Sequence, residues 1–344
     1  MDNPIKVFLT HSNYIRAFAY LAASGWKTGP QAYAQLHQRI MNSGSIPDKQ
    51  NPNVNHDQVR RILEHCWGTE LLMNLGASII EDDELVRISK TWSAVQCYYV
   101  EYHAVQALAL AKGFPRPDSH PKTQKEFAAF WCHLSHELVP WALSFHADGN
   151  HNVPSSVTID QDIHSWSFCT AETSWSLACK ALRTTRDDLL SEALHKRREN
   201  KRASSRRSWR DEELIRRGRG RRPREEPRFP LPNLTQVEKQ EVNRRTRPTT
   251  IIDYFYRVRI KTNYEDSAMF TDGPEDERAS EEIRNHLCLL SGTTLFVHEV
   301  RIAALVGKDQ FLEWARRWVS QKPPDGFQYG LVERNLLYQR VLTE

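Results

Sequence analysis

"YYVEYHAVQALALAKG", running from Tyr98 to Gly113, is the stretch that decides the fold class. Val95, Tyr98, Tyr102, Val105 and Ala109 recur at alternating steps of three and four, the signature of one face of an α-helix set against another helix. Beside that stripe runs a second row, Gln96, Tyr99, His103 and Gln106, which is polar or aromatic. Gly113 and Pro115 close the helix in the expected order. Three tyrosines and a histidine are an unusual choice for a plain core. Each is a large ring with a polar end, and they read as core and subunit-seam residues rather than direct substrate contacts.

Working outward, the same periodicity recurs along the chain. Gln31–Met41, a segment starting at Asp57, Glu84–Gly113, Gln124–Phe145, a segment starting near Ala171, Glu275–Leu305, Phe311–Val319 and Val332–Leu342 all read as amphipathic helices. Ile251, Phe255, Val258 and Thr262 line one side of another, with Pro248 in its first turn. Leu71–Ile80 is apolar but interrupted by Gly76, and its state is open. Almost nothing alternates with period two. The class is all-α.

Composition sets the remaining bounds. The 344 residues are 40% apolar, enough for a real core, and no apolar run reaches the length of a bilayer crossing. The amino terminus begins acidic and places Arg16 among apolar residues, so it does not read as a signal peptide, and a cytoplasmic location is expected. Six cysteines without a C-x-x-C pair predict reduced, mostly buried thiols. Net charge is +4, but Lys196–Arg228 alone holds 15 Lys or Arg against 6 Asp or Glu, leaving a mildly acidic body. Within that segment "RRGRGRRP" (Arg216–Pro223) approaches an AT-hook core without completing it, and Trp209 stands among arginines where it could stack on a base. Polyanion binding is expected there, through Arg206, Arg207, Arg210, Arg216, Arg217, Arg219, Arg221 and Arg222. "RENKRASSRRSWRDEELIRR" suits a basic helix, and "RRGRGRRPREEPRFPLPN" reads as a flexible arm.

Two segments, taken together, resemble the signature helices of the HEPN superfamily (higher eukaryotes and prokaryotes nucleotide-binding domains). Tyr98, Tyr99, Tyr102, His103, Ala104, Ala107, Leu108, Lys112 and Gly113 match one helix of that family. Arg257 or Arg259, then Thr262, Asn263, Tyr264, Glu265 and Asp266, resemble the second, and the helix over Glu275–Leu305 corresponds to the long one that follows. The resemblance implies an up-and-down helical bundle with an inserted basic arm and extra C-terminal helices. It also implies a homodimer paired through the motif helices, and metal-independent RNA cleavage in toxin–antitoxin or antiphage systems. Arg257, Arg259, Asn263 and Tyr264 are then the candidate catalytic residues, RNA is a more probable partner than DNA on family grounds, and no metal or cofactor is expected. Asn263 stands where the family's catalytic histidine is expected, and an amide does not titrate near neutral pH. The alternative is therefore a non-catalytic dimerisation or scaffold subunit holding DNA or RNA through the arm.

The implied division is 1–60 an N-terminal extension, 61–150 and 246–306 the two halves of the bundle, 151–195 an inserted helical segment, 196–245 the flexible arm and 307–344 a helical tail. Helical spacing gathers Arg257, Lys261 and Tyr264 on one side of their helix and Arg259 and Asn263 on a neighbouring one. Asp253, four residues before Arg257, offers that arginine a plain structural partner. Arg60 and His65 repeat the Arg, four residues, His pattern, but read as a solvated helix face. Cys132, His133 and His136, with His120, His146, His151 and His164 not far off in sequence, complete no tight metal-ligand set, although His133 and His136 could share a helical face.

Overall fold

The computed structural model describes residues 4–25, 29–46, 49–79, 83–146, 149–151, 169–261, 277–321 and 330–341. Eleven α-helices make up the described residues: α1 (Pro4–Ala22), α2 (Gly29–Asn42), α3 (His56–Ile79), α4 (Asp83–Ala111), α5 (His120–Trp131), α6 (Ala171–Gly218), α7 (Gln236–Arg245), α8 (Ile251–Ile260), α9 (Glu277–Val306), α10 (Lys308–Ser320) and α11 (Leu331–Val341). One antiparallel hairpin, β1 (Ser144–His146) with β2 (Gly149–His151), is their sole strand pairing.

At the centre α4 lies against α3 and α9, with α5 and α8 along its outer side, while α1 packs on α6 and α9. The stripe read from the sequence is buried throughout, from Val95 to Ala109. Gly113 ends α4 in the left-handed region, φ +82°. Its N–H donates to Leu110 O and the next residue's to Ala109 O, a Schellman closure. The middle of α9 carries Ser291, Gly292, Thr293 and Thr294, all buried, so neighbouring helices approach closely. At Gly292 a Cβ would stand 2.4 Å from the Tyr33 hydroxyl, so any larger residue pushes α2 away.

Part of α9, Ala279–Val306, has the length and composition of a membrane span, contrary to the reading that no such run exists. Yet 89% of its most apolar window is buried among the other helices. Its apolarity is that of a central core helix.

The helix expected over Gln124–Phe145 stops at Trp131. Pro140, which has no N–H and biases the preceding residue away from helical geometry, bars a helix from running on to Phe145, though it lies too far along to set the stop at Trp131 itself. The chain instead makes a 3-10 turn at His136–Leu138 and enters β1. His133 and His136 therefore do not share a helix face. The aromatic residues still reach the core: Trp131 donates to His298 Nε2 (3.3 Å) and Trp141 to Thr294 Oγ1 (2.9 Å). Pro248 precedes α8 rather than opening it, because Thr249 is drawn into an extended bridge with Phe145 and Thr250 becomes the cap.

A flexible arm was expected over 196–245; in fact α6 runs unbroken for 48 residues, about 72 Å at 1.5 Å per residue, through the basic segment to Gly218. No glycine or proline interrupts it, and Ala, Leu, Glu, Lys and Arg are good helix formers even without an apolar face. The return limb, 219–234, has no regular structure but lies on α6, and α7 follows it under a Thr235–Glu238 capping box. Arg186, buried at the root, ties α6 to the carbonyls of Phe145, Asn243 and Arg247. All six cysteines are free, four buried and two half-buried.

Candidate functional site

Everything that distinguishes α8 follows from its ten residues. Asp253 accepts from the Thr250 N–H (2.8 Å) and hydroxyl (3.0 Å), and the same carboxylate holds the Arg247 guanidinium. Asp253 is thus committed to the helix start and to Arg247, not to Arg257. Phe255 and Val258 enter the core. Arg257 and Arg259, two residues apart and so about 200° apart around the axis, leave on different sides.

Arg259 turns toward α4. Its Nη1 donates to the Tyr99 hydroxyl at 3.1 Å, and the guanidinium carbon lies 5.4 Å from the Tyr98 ring, 5.7 Å from Tyr99 and 5.2 Å from Tyr256. Three ring faces on one cation stabilise it where water is scarce. Arg259 is 8% exposed, and its Nε finds no acceptor among the described residues.

Against these rings stands His120, the first residue of α5. Its Nδ1 is 2.6 Å from the Tyr98 hydroxyl, and its ring centroid is 5.0 Å from Tyr102 and 5.2 Å from Tyr256. Partial burial, and after it the charge of Arg259, lower its pKa, which keeps the ring neutral. One nitrogen is held by a phenol; the other has no partner among the described residues. Burial raises the Tyr98 phenol, so it remains protonated. His103 extends the cluster, 6.0 Å from the rings of Tyr99 and His65. Burial, then His65 and Arg116, lower its pKa to about 4.

The separated segments therefore do fold against each other, with the tyrosine-bearing helix meeting the arginine-bearing one. Only Arg259 takes part. Arg257 faces α6, where it pairs with Asp188 (2.9 Å) and Glu192 (2.6 Å). Arg257 and Lys261 share a side, as their spacing suggested, and both line a cleft of about 440 Å³ between α1, α6 and α8. Asn263 and Tyr264 lie outside the described residues. Arg60 is held by Glu64 (2.7 Å) and Asp57 (3.3 Å) on an open helix face. In the sequence His120 figured only among the histidines weighed for a metal-ligand set, not beside the tyrosines, although Pro121 after it marks a helix start and so fixes its place at an end of α5.

The arm is organised by its own acids. Glu226 pairs with Arg206 and with Arg210 (3.7 Å), while buried Glu213 takes the Arg224 N–H and Nε, both at 2.9 Å, and Arg217 Nε at 3.3 Å. Arg216 stands 4.0 Å from Glu213 and donates to the Arg222 carbonyl. Arg224 also lies 5.9 Å over the Trp209 ring, so that tryptophan is partly covered. Of the eight arginines expected to bind polyanions, four are thus engaged internally. Arg207, Arg219, Arg221 and Arg222 are exposed, with no acidic partner among the described residues.

Glu213 is what folds the tip back on the rod. Hydrogen bonds from the Arg224 backbone and side chain hold its pKa down to about 2. Its contribution is therefore full above its unfolded pKa of about 4.3 and is lost as the pH falls toward 2. Glu213→Gln at neutral pH is expected to speed tryptic cleavage after Arg219 and Arg221 several-fold while leaving the bundle intact. Unchanged cleavage would mean that the return limb is held by something else.

Set against protein-family models, curated proteins and solved structures, the chain matches none of them.

Proposed function

We propose that this chain is a HEPN-like effector acting on RNA in a prokaryotic defence or toxin–antitoxin system. Arg259 and His120 are placed at the reacting phosphate, and the exposed arginines of the arm hold the flanking strand. The observation that carries the reading is the docking of Arg259 on Tyr99 beside a neutral histidine with one nitrogen unpartnered. His120 takes the place of the histidine that the motif lacks at Asn263.

In the reaction, the neutral imidazole keeps its own proton on Nδ1, donated to the Tyr98 phenol oxygen. Its Nε2 accepts the proton of a ribose 2′-OH as that oxygen attacks phosphorus. The guanidinium stabilises the charge gathering on the phosphorane oxygens. The P–O5′ bond then breaks, and the departing oxygen takes up a proton from water, whose hydroxide recovers the imidazolium proton, leaving a 2′,3′-cyclic phosphate and a 5′-hydroxyl. A second copy would supply a shared cleft for the strand only by pairing beside α4 rather than along it, since the stripe from Val95 to Ala109 is buried within one chain. RNA as substrate places the protein in the cytoplasm.

The test is incubation of the purified protein with tRNA and total RNA in the presence of a chelator. Cleavage to cyclic-phosphate ends is expected, reduced about a hundred- to ten-thousand-fold in His120→Gln and about a hundred- to a thousand-fold in Arg259→Gln. RNA left intact by the wild-type protein would overturn the catalytic reading.

A second reading rests on the burial of Arg259, which its aromatic neighbours hold as a structural cation. The chain is then a non-catalytic subunit that binds DNA or RNA through the arm. Arg207, Arg219, Arg221 and Arg222 replaced by Gln would abolish binding and flatten its salt dependence by about 0.7 per lost contact on single strands. The Arg259→Gln protein would bind as before.

A further inference from the structure

The cleft on the other side of α8 is not used by either reading. Its walls come from three helices: Lys6 from α1, Lys180 from α6, and Arg257 and Lys261 from α8. Only one carboxylate, Asp188, belongs to its lining, and Arg257 already pairs with it. Lys6 and Lys261 have no acidic partner among the described residues. The floor is aromatic. His11 lies against Tyr254, with its Nδ1 3.2 Å from the tyrosine hydroxyl and the rings stacked 5.9 Å apart, and Tyr14 meets both edge-on.

Cations gathered from separate helices repel one another, and a fold keeps them together at a cost unless a counter-charge enters. At about 440 Å³ the space suits a small ligand and excludes a duplex. Ammonium groups reaching in from different sides match a tetrahedral anion with more than one charge better than a planar, singly charged carboxylate.

We propose that the cleft between α1, α6 and α8 binds a small phosphate-bearing ligand. Lys6 and Lys261 meet its phosphate, with Arg257 held beside them by Asp188 and Glu192, and the His11–Tyr254 floor meets its uncharged part. The half-buried His11 is consistent with this geometry. Its pKa is pushed down to about 3, first by burial and then by the charges of Lys261 and Arg257, so the floor stays neutral and takes nothing from the cationic field.

Two sources offer this chemistry: a free phosphorylated small molecule and the terminal phosphate of a short RNA. Calorimetry with pyrophosphate, a 5′-phosphorylated trinucleotide and the same trinucleotide with a 5′-hydroxyl separates them. Pyrophosphate is expected to bind the full chain, with affinity falling at least about tenfold in the Lys6→Gln/Lys261→Gln double variant. It should be unchanged when Arg207, Arg219, Arg221 and Arg222 are replaced by Gln, which excludes the arm as the site. Stronger binding of the 5′-phosphorylated trinucleotide than of its hydroxyl form would identify an RNA end as the ligand; equal binding of the two would identify the free molecule. Lys6 and Lys261 lie at a helix end and a rim, so their replacement leaves the core intact, to be checked by the melting temperature. No binding by pyrophosphate or the phosphorylated trinucleotide, or binding indifferent to the double variant, overturns the proposal. His120→Gln should leave this binding unchanged, so a failure of the RNA-cleavage reading and a failure here are read separately.

Discussion

Arg334→Met is expected to lower the unfolding free energy by about 3–5 kcal/mol, a large part of what holds a domain of this kind together. Arg334 is fully buried on α11, and its guanidinium is shared by two buried carboxylates. Nη1 and Nη2 reach Glu70 of α3 at 2.5 and 2.9 Å; Nε and Nη2 reach Glu299 of α9 at 2.8 and 3.0 Å. Trp67 Nε1 (2.6 Å) and the Tyr338 hydroxyl donate to the same Glu299 carboxylate. Removing the cation leaves two carboxylates facing each other without water. The loss is therefore the cost of stranded charge rather than of missing packing. Adding Glu70→Gln and Glu299→Gln to Arg334→Met should recover part of the loss, as measured by urea unfolding. A single variant that loses less than about 1 kcal/mol would mean that the three groups do not meet.

Acid is expected to weaken the fold well above the usual carboxylate range. His298 is fully buried, and its pKa is pushed down to about 3, mainly by that burial. Its bonding explains why it stays neutral. Nδ1–H donates to the Thr294 carbonyl (2.8 Å), and the Nε2 lone pair accepts the Trp131 indole N–H (3.3 Å). A second ring proton would point at that N–H, with Arg301 beside the same indole at 4.5 Å. The unfolded chain takes up this proton below pH about 6.5 and the folded one does not. Stability is therefore full above pH 6.5 and falls as the pH drops, by about 2–3 kcal/mol between pH 6 and 4 from this residue alone. His11, lowered to about 3, and His103 and His286, each lowered to about 4, add to the trend. His298→Gln should show a shallower slope of unfolding free energy against pH than the wild type. An identical slope would clear His298 of the effect.

The sequence was most informative where apolar spacing governs. The α4 stripe, the extent of α9 and the places of α10 and α11 all follow from side chains that must be buried, though α10 starts at Lys308, ahead of the apolar residues that marked it. The meeting of α4 and α8 across the long insertion was expected from the HEPN resemblance, not from any local pattern. The basic helix read over 198–217 is present, but its continuity with the helix starting near Ala171 was hidden. Propensity and ion pairs such as Glu199 with Arg202 and Glu213 with Arg217 sustain the stretch beyond Leu194, and neither leaves an apolar period. The end of α5 was missed because Phe127, Trp131, Leu138 and Trp141 are all buried, as one helix face would be, while the backbone changes course between them. His120 reaches the tyrosines through tertiary packing alone; its neighbours in sequence contain nothing that points to them.

The unbroken course of α6 has a mechanical meaning. One wall of the cleft and the core of the far tip belong to one rod, with no glycine or proline between Ala171 and Arg217 to serve as a joint. Any load applied at the tip would act on a lever whose short end carries Asp188 and Glu192, and the torque would arrive at Arg257 through those two ion pairs.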